Sequence, residues 1–469
     1  MADLGLLIPE MILAGVAIVL LVGARRLQRT PVAAIATVLA AVAAAIVSAW
    51  LLTRGPQSGF GGMIVVDGYS QFFKLLIAAT LALIALLSGR SLKTDHVPRV
   101  EYHILLLLAA TGMMAAVSAR DLLPLYLGLE LTTLCSYILV GIRVERAASN
   151  EAAIKYFLLG SFASAVLIYG ISLTYGVTRS TDYVAIASAL SQQGAGSNLL
   201  LTTAIGLVAA GLAFKIAAVP FHAWAPDAYQ GAGAPVAAFL ATGSKAVGLA
   251  ALGRVCLAAY GPEVEVWTVI LALLAALSIV VGSILALPQT DMKRLLAYSS
   301  IAHAGYALLG LTAGTGEGLS AAMTYAFFYV FMTAGAFGVM VALGKRGELV
   351  EGYRGLAAHR PATALLMLLF LMSLTGIPPT AGFAAKFVVI LSAVRAGYVA
   401  LAVLAVMCSV ISAFFYMRVV VFMYMSGPQE PAPARSGLAV SAALAVAATV
   451  TLIGGIWPGS VAPWTVAPQ

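Results

Sequence analysis

The chain has 469 residues, 62% of them hydrophobic and only 9% charged, with a mean hydropathy of +1.01. Soluble globular chains carry about 25% charged residues, so a soluble domain is excluded. The net charge of +8 is assigned to basic loops on one membrane face, with no nucleic-acid partner.

About 20 apolar residues cross a bilayer as a helix. Runs of that kind are predicted near 4–24, 31–53, 69–89, 101–117, 121–142, 151–177, 199–224, 234–260, 264–286, 293–313, 319–343, 361–393, 397–426 and 436–460. The first is read as a retained span. Its acidic start (Asp3) and basic exit (Arg25, Arg26, Arg29) have the wrong polarity for a signal peptide. Cys135, Cys256 and Cys408 fall in three different runs with no CxxC pair, so they are read as packing residues and no metal set is expected.

Loop charge tests the count. The odd-numbered loops hold sixteen of the 26 Lys and Arg residues and the even-numbered loops four, with six inside spans. The positive-inside rule then puts the odd loops in the cytoplasm and both termini outside.

Two spans carry proline at membrane depth. One reads AGLAFKIAAVPFHAW, with Lys215 ahead of Pro220; the other reads LTGIPPTAGFAAKF, with Pro378 and Pro379 ahead of Lys386. Proline removes a backbone donor and breaks a helix, and broken helices commonly line a site between inverted repeats. The broken spans are the seventh and twelfth, an odd offset that reverses direction. Lys215 and Lys386 are 171 positions apart, and Glu130 and His303 are 173 apart. The expected division is 1–100, a three-helix segment; 101–260 and 264–426, two inverted five-helix repeats; and 427–469, a C-terminal helix. The fold class is an all-α polytopic membrane protein of about fourteen transmembrane helices.

Glu130, Lys215, Lys245 and Lys386 lie near mid-span. A charge there costs roughly 2.5–3.5 kcal/mol on insertion scales and marks an ion or proton path by default. Low-dielectric surroundings favour the neutral form of an amine, so a buried lysine can carry protons. His303, in YSSIAHAGYALLG, is either a packing hydrogen bonder or a relay. His222, after Pro220, is open between a gate and an interface residue. Lys74, Arg254, Arg418 and Glu10 lie near span ends and are expected to snorkel to the interface. Glu151 and Lys155 are expected to form an i,i+4 surface pair. The glycines Gly314, Gly316 and Gly318 are read as a turn, with no strand before them to make a nucleotide site.

LGLE, FKIAAVPFHAWAPDAY, TGSKA, SSIAHAGY and LTGIPPTAGFAAKF together resemble the antiporter-like membrane subunits of respiratory complex I, over nearly the whole chain. Within that family the length, the early LIPEMIL and the span count resemble the N-type subunit of bacterial NADH–quinone oxidoreductase. The resemblance implies that Glu130 and Lys215 form the family's ion pair, that Lys245 is the connecting lysine, Lys386 the exit-side lysine and His303 part of the axis. It also implies no cofactor on this chain. NADH, FMN, iron–sulfur clusters and quinone would belong to partner subunits, with M-type and K-type subunits and lipids as neighbours in the bacterial inner membrane. The function it implies is redox-coupled proton translocation. A subunit of a multisubunit cation/proton antiporter is the alternative.

Overall fold

The computed structural model describes residues 3–28, 30–193, 199–427, 437–466 and 468. Arg29 and Arg435 of the loop tally lie outside these residues. Helices occupy every predicted span. They are α1 (Ile8–Leu27), α2 (Val32–Leu52), α3 (Gly68–Thr94), α4 (Arg99–Ser118), α5 (Leu122–Val140), α6 (Ala147–Thr178), α7 (Tyr183–Gln193), α8 (Leu199–Lys215), α9 (Trp224–Gly231) and α10 (Ala234–Phe239). After these come α11 (Lys245–Arg254), α12 (Val264–Ala286), α13 (Met292–Leu311), α14 (Gly316–Leu343), α15 (Leu356–His359), α16 (Pro361–Thr375), α17 (Ala381–Arg395), α18 (Val399–Met425) and α19 (Leu438–Ile456). Among the described residues, eleven helical segments are long and apolar enough to cross a membrane. The other three predicted positions hold α13 and the two proline-broken helices. Short α7 lies in the loop between the sixth and seventh predicted spans, and β1 (Gln57–Gly59) pairs antiparallel with β2 (Ile64–Val66) in the loop between the second and third.

Side-chain caps start several helices. Asp67 and Ser70 form a reciprocal capping box on α3, Asp121 accepts from Leu123 N on α5, and Asp291 accepts from Arg294 N on α13. Gly314 has φ +66° and makes the expected turn, but Gly316 and Gly318 belong to the first turn of α14, which Thr315 caps by accepting from Gly318 N.

The loops sort to two ends. At one, Asp95 pairs with Arg143 and Arg146, Asp227 with Lys155 and Arg294, and Lys293 with Glu348. These ties join odd-numbered loops. At the other end Ile64 bridges Ala119 and Asp121 bridges Asp182. Asp3 accepts from Phe60 N, and Ser320 bonds Thr465, so both termini share the end of the even loops.

Without a hydrophobic drive between helices in lipid, close packing relies on small residues. A Cβ on Gly112 would stand 2.6 Å from the Gly128 carbonyl, which brings α4 and α5 together; one on Gly282 would stand 2.5 Å from Ala302 N, which does the same for α12 and α13. These are spans 4 and 5, then 9 and 10. In the segment Ala234–Ala259 every residue is buried except Leu257 and Ala258, which are partly buried. The segment contains two π-helical turns, Leu240–Ser244 and Val255–Ala259, on either side of α11.

The snorkelling expectation fails for Glu10, Lys74 and Arg254, which are buried and paired, while Arg418 is half-buried and reaches the loop after α12. Lys74 is fully buried and pairs with Glu10 at 2.7 Å, and Arg254 makes two bonds to Asp67 at 2.8 and 3.0 Å. Arg418 donates to the carbonyls of Leu287 and Gln289. Each finds its partner on another segment, which position along a single span cannot reveal. The Glu151–Lys155 pair forms at 2.7 Å as expected, and Lys155 also reaches Asp227 at 3.1 Å.

Candidate proton-transfer axis

Span 7 stops being helical at Lys215, several residues before its proline. Residues 216–223 are irregular and include the cis Val219–Pro220 bond; α9 follows. Lys215 thus forms the C-terminal end of α8. Its Nζ donates to Glu130 Oε1 at 3.2 Å and to Thr133 Oγ1 at 2.7 Å. Ser164 of α6 donates to the same carboxylate oxygen. Lys215 is 5% exposed and the Glu130 side chain 21%, so the pair is closed on the lysine side and partly open on the other.

Lys245 begins α11, directly after the first π-helical turn. Such turns are frequent at functional sites. Lys245 and all of residues 234–256 around it are buried, so Lys245 cannot snorkel. Its Nζ donates to the Ser300 carbonyl of α13 at 2.5 Å. One turn further along this helix, Gly248 leaves room for Lys215, whose Cβ would lie 3.2 Å from a Cβ placed there. The two lysines therefore flank one contact between α8 and α11.

His303 lies one turn beyond Ser300 on α13. Its Nδ1 is 2.6 Å from the Tyr325 hydroxyl and its Nε2 3.3 Å from that of Tyr416, which also bonds Ser299. Lys245, Thr242, His303, Tyr325 and Tyr329 line a cavity of about 20 Å³. That is room for roughly one water molecule.

In the second broken helix α16 ends at Thr375, Gly376 takes φ +89°, and the cis Pro378–Pro379 bond precedes α17. Lys386 reaches back over the break. Its Nζ donates to Thr375 O at 2.8 Å and Ser409 Oγ at 2.9 Å, and stands 4.6 Å from the Tyr306 ring centre. The His303 and Tyr306 rings are 6.1 Å apart, so aromatic contact joins His303 to Lys386.

All five sequence-predicted residues are thus partners in two adjoining networks. Thr133, Ser164, Ser300, Tyr306, Tyr325, Tyr416 and Ser409 were missed. Several had a signal: Thr133 is three residues from Glu130, and Ser300 and Tyr306 are each three from His303, the spacing of one helix face. His222 is half-buried with Nδ1 unpartnered, close enough to Lys245 for their charges to interact. The three cysteines are buried and free. Among the described residues no group of His, Cys, Asp and Glu could hold a metal.

The family model described as "NADH:quinone oxidoreductase/Mrp antiporter, TM" matches residues 119–412, which include Glu130, Lys215, Lys245, His303 and Lys386. NADH-quinone oxidoreductase subunit N of Desulfovibrio desulfuricans is 43% identical, over 99% of this chain and 96% of its own length. Subunit N 2 of Rhizobium meliloti is 44% identical, over 90% and 88%. A chain of respiratory complex I from Thermus thermophilus superposes with a TM-score of 0.84 at 36% identity, covering 98% of this chain and all of that one. A chain of the Mrp complex from Dietzia shares the fold, with a TM-score of 0.85 at 21% identity over 98% and 96%. The chain belongs to the NADH-quinone oxidoreductase subunit N family of antiporter-like membrane proteins.

Proposed function

We propose that this chain is a proton-translocating membrane subunit of a bacterial NADH:quinone oxidoreductase, and that Glu130, Lys215, Lys245, His303 and Lys386 carry the protons. One observation supports this above the rest: four mid-membrane ionisable groups and a histidine form two adjoining networks, with a water-sized cavity between Lys245 and His303.

Each lysine holds a proton at a site whose acceptors can be withdrawn. At Lys215 the acceptor is a carboxylate. When Glu130 moves away, the ammonium loses its counter-charge and its proton passes inward toward Lys245. Lys245 faces the cavity shared with His303, and a water there bridges the two. His303, between two tyrosine hydroxyls, hands the proton toward Lys386. Lys386 releases it at the Pro378–Pro379 break. Re-forming the Glu130–Lys215 pair draws in the next proton.

The topology in this reading is fourteen spans, with odd loops in the cytoplasm and both termini on the periplasmic side of the inner membrane. The division at 1–100, 101–260, 264–426 and 427–469 goes with it. Gly-mediated packing that recurs in spans 4–5 and 9–10, and a proline break in spans 7 and 12, support the two inverted units. NADH, FMN, iron–sulfur clusters and quinone lie on partner subunits. M-type and K-type subunits are the membrane neighbours, and the signal that moves Glu130 arrives through them.

The test is Lys215→Ala in the assembled complex, reconstituted in vesicles. Proton uptake per NADH oxidised is expected to fall. An unchanged ratio in a fully assembled variant overturns the assignment of Lys215.

A further inference from the structure

Glu10 of α1 and Lys74 of α3 lie outside the axis and outside both five-helix units. Their charged atoms approach to 2.7 Å, and their side chains are 7% and 0% exposed. Despite that approach, neither Glu10 oxygen nor the Lys74 ammonium makes an aligned hydrogen bond. Two more buried atoms without partners belong to the same level of the helices. Gln71 is three residues before Lys74 on one face of α3, and its Oε1 is unpartnered. Ser48 of α2 is fully buried with Oγ unpartnered. Leu6, Leu51 and Val47 pack together, which sets α1 against α2 in antiparallel register. Glu10 is one turn beyond Leu6, and Ser48 is one turn before Leu51, so the two meet at one height.

A carboxylate offers about four acceptor positions and an ammonium three donors. A single poorly aligned contact leaves most of these empty in an apolar interior, where each unmet group is costly and two bare charges more so. Buried polar groups of this kind are met by ordered water. The Asp67–Arg254 pair nearby is different: its carboxylate spends both oxygens on the guanidinium and on Ser70 N.

We propose that Glu10, Lys74, Ser48 and Gln71 enclose a buried water site, and that this water makes Glu10 and Lys74 a second proton-exchanging couple. The step is a transfer within the couple. The Nζ–H bond of the ammonium breaks, the proton crosses the water, and an O–H bond forms on Glu10, leaving a neutral amine and a neutral acid. The groups are those of the Glu130–Lys215 pair, placed among α1, α2 and α3.

Two measurements on the assembled complex test this. A map that resolves water is expected to show density touching Glu10 and Lys74. Glu10→Gln is expected to lose one carboxyl band from the NADH-induced infrared difference spectrum. A dry contact between the two side chains, or a spectrum identical to wild type, overturns the proposal. Should Glu10→Gln fail to assemble with Lys74 left unpaired, the Glu10→Gln/Lys74→Met double variant removes both charges at similar volume and is expected to lose the same waters and the same band. Water that persists unchanged in the double variant also overturns it. The proton exchange rests on the proposed NADH-coupled function, while the water site does not: if Lys215→Ala leaves proton output unchanged, the water site is still decided by the map.

Discussion

Lys386 reaches back across its helix break to the carbonyl of Thr375, 2.8 Å away. Thr375 closes α16 as Lys215 closes α8. The 171-residue spacing therefore relates lysines on opposite sides of their breaks, one before and one after. Lys386 brings its ammonium to the C-terminal end of the first half-helix, whereas Lys215 starts from that end and sends its ammonium to Glu130 and Thr133 of α5. Unpaired carbonyls at a helix C-terminus carry partial negative charge and favour a cation.

Gly376 is what lets Lys386 bend back. Its φ is +89°, and a Cβ there would stand 2.9 Å from Lys386 Cδ. Gly376→Ala is expected to displace the lysine and to cost about 1–2 kcal/mol in left-handed backbone. Proton output per NADH oxidised should fall toward that of Lys386→Ala, with assembly retained. A wild-type ratio would show that the reach to Thr375 is dispensable.

Thr133 supplies the shorter of the two bonds to Lys215. Thr133→Val keeps the shape and removes an acceptor worth roughly 1 kcal/mol. Glu130→Gln removes the counter-ion, a loss of about 3–5 kcal/mol in full burial and less here because Glu130 is partly exposed. The expected order of proton output is wild type, then Thr133→Val, then Glu130→Gln. Vesicle acidification at matched NADH turnover measures it.

Tyr325 orients His303 through the 2.6 Å bond to Nδ1. Tyr325→Phe should slow proton delivery, and His303→Ala should slow it further, because the ring that links the cavity to Tyr306 is gone. Initial rates of acidification after an NADH pulse separate the two. Equal rates in Tyr325→Phe and wild type would exclude the tyrosine from the path.

Asp67 precedes α3, outside its spanning segment. Burial pushes its carboxyl up, but the Arg254 charge and hydrogen bonds from Arg254 and Ser70 outweigh this and hold it below the usual 3.8. A depressed carboxyl stabilises the fold above its unfolded value, and that contribution is lost as pH falls through the lower, folded value. Thermal unfolding of the complex should therefore begin at lower temperature below pH 3.8. Asp67→Asn should destabilise the fold already at neutral pH, by about 3–5 kcal/mol, since Arg254 stays buried without its counter-ion. Little of the acid-dependent step should remain.

The axis was legible because a charge inside an apolar run stands out whatever surrounds it. Glu130, Lys215, Lys245 and Lys386 are conspicuous in one dimension, and the prolines mark where two helices break. Arg254, Lys74 and Glu10 were equally visible, yet their partners Asp67, Glu10 and Lys74 come from other helices, so they read as snorkelling ends. Tyr325, Tyr416 and Ser409 went unseen because single hydroxyls within apolar spans are common and gain meaning only from the residue they face.

Composition and apolar run length determined that this chain is a helical membrane protein, since hydrocarbon demands internally satisfied backbone and penalises charge. Loop charge determined which loops share a side. Which charge meets which was decided by tertiary structure alone. A hydrogen bond requires atoms within about 3 Å, and helices far apart in sequence are brought that close only by packing. Glycine contacts set Lys215 against α11, a helix break turned Lys386 toward Thr375, and the packing of α13 gave Lys245 the Ser300 carbonyl as its acceptor.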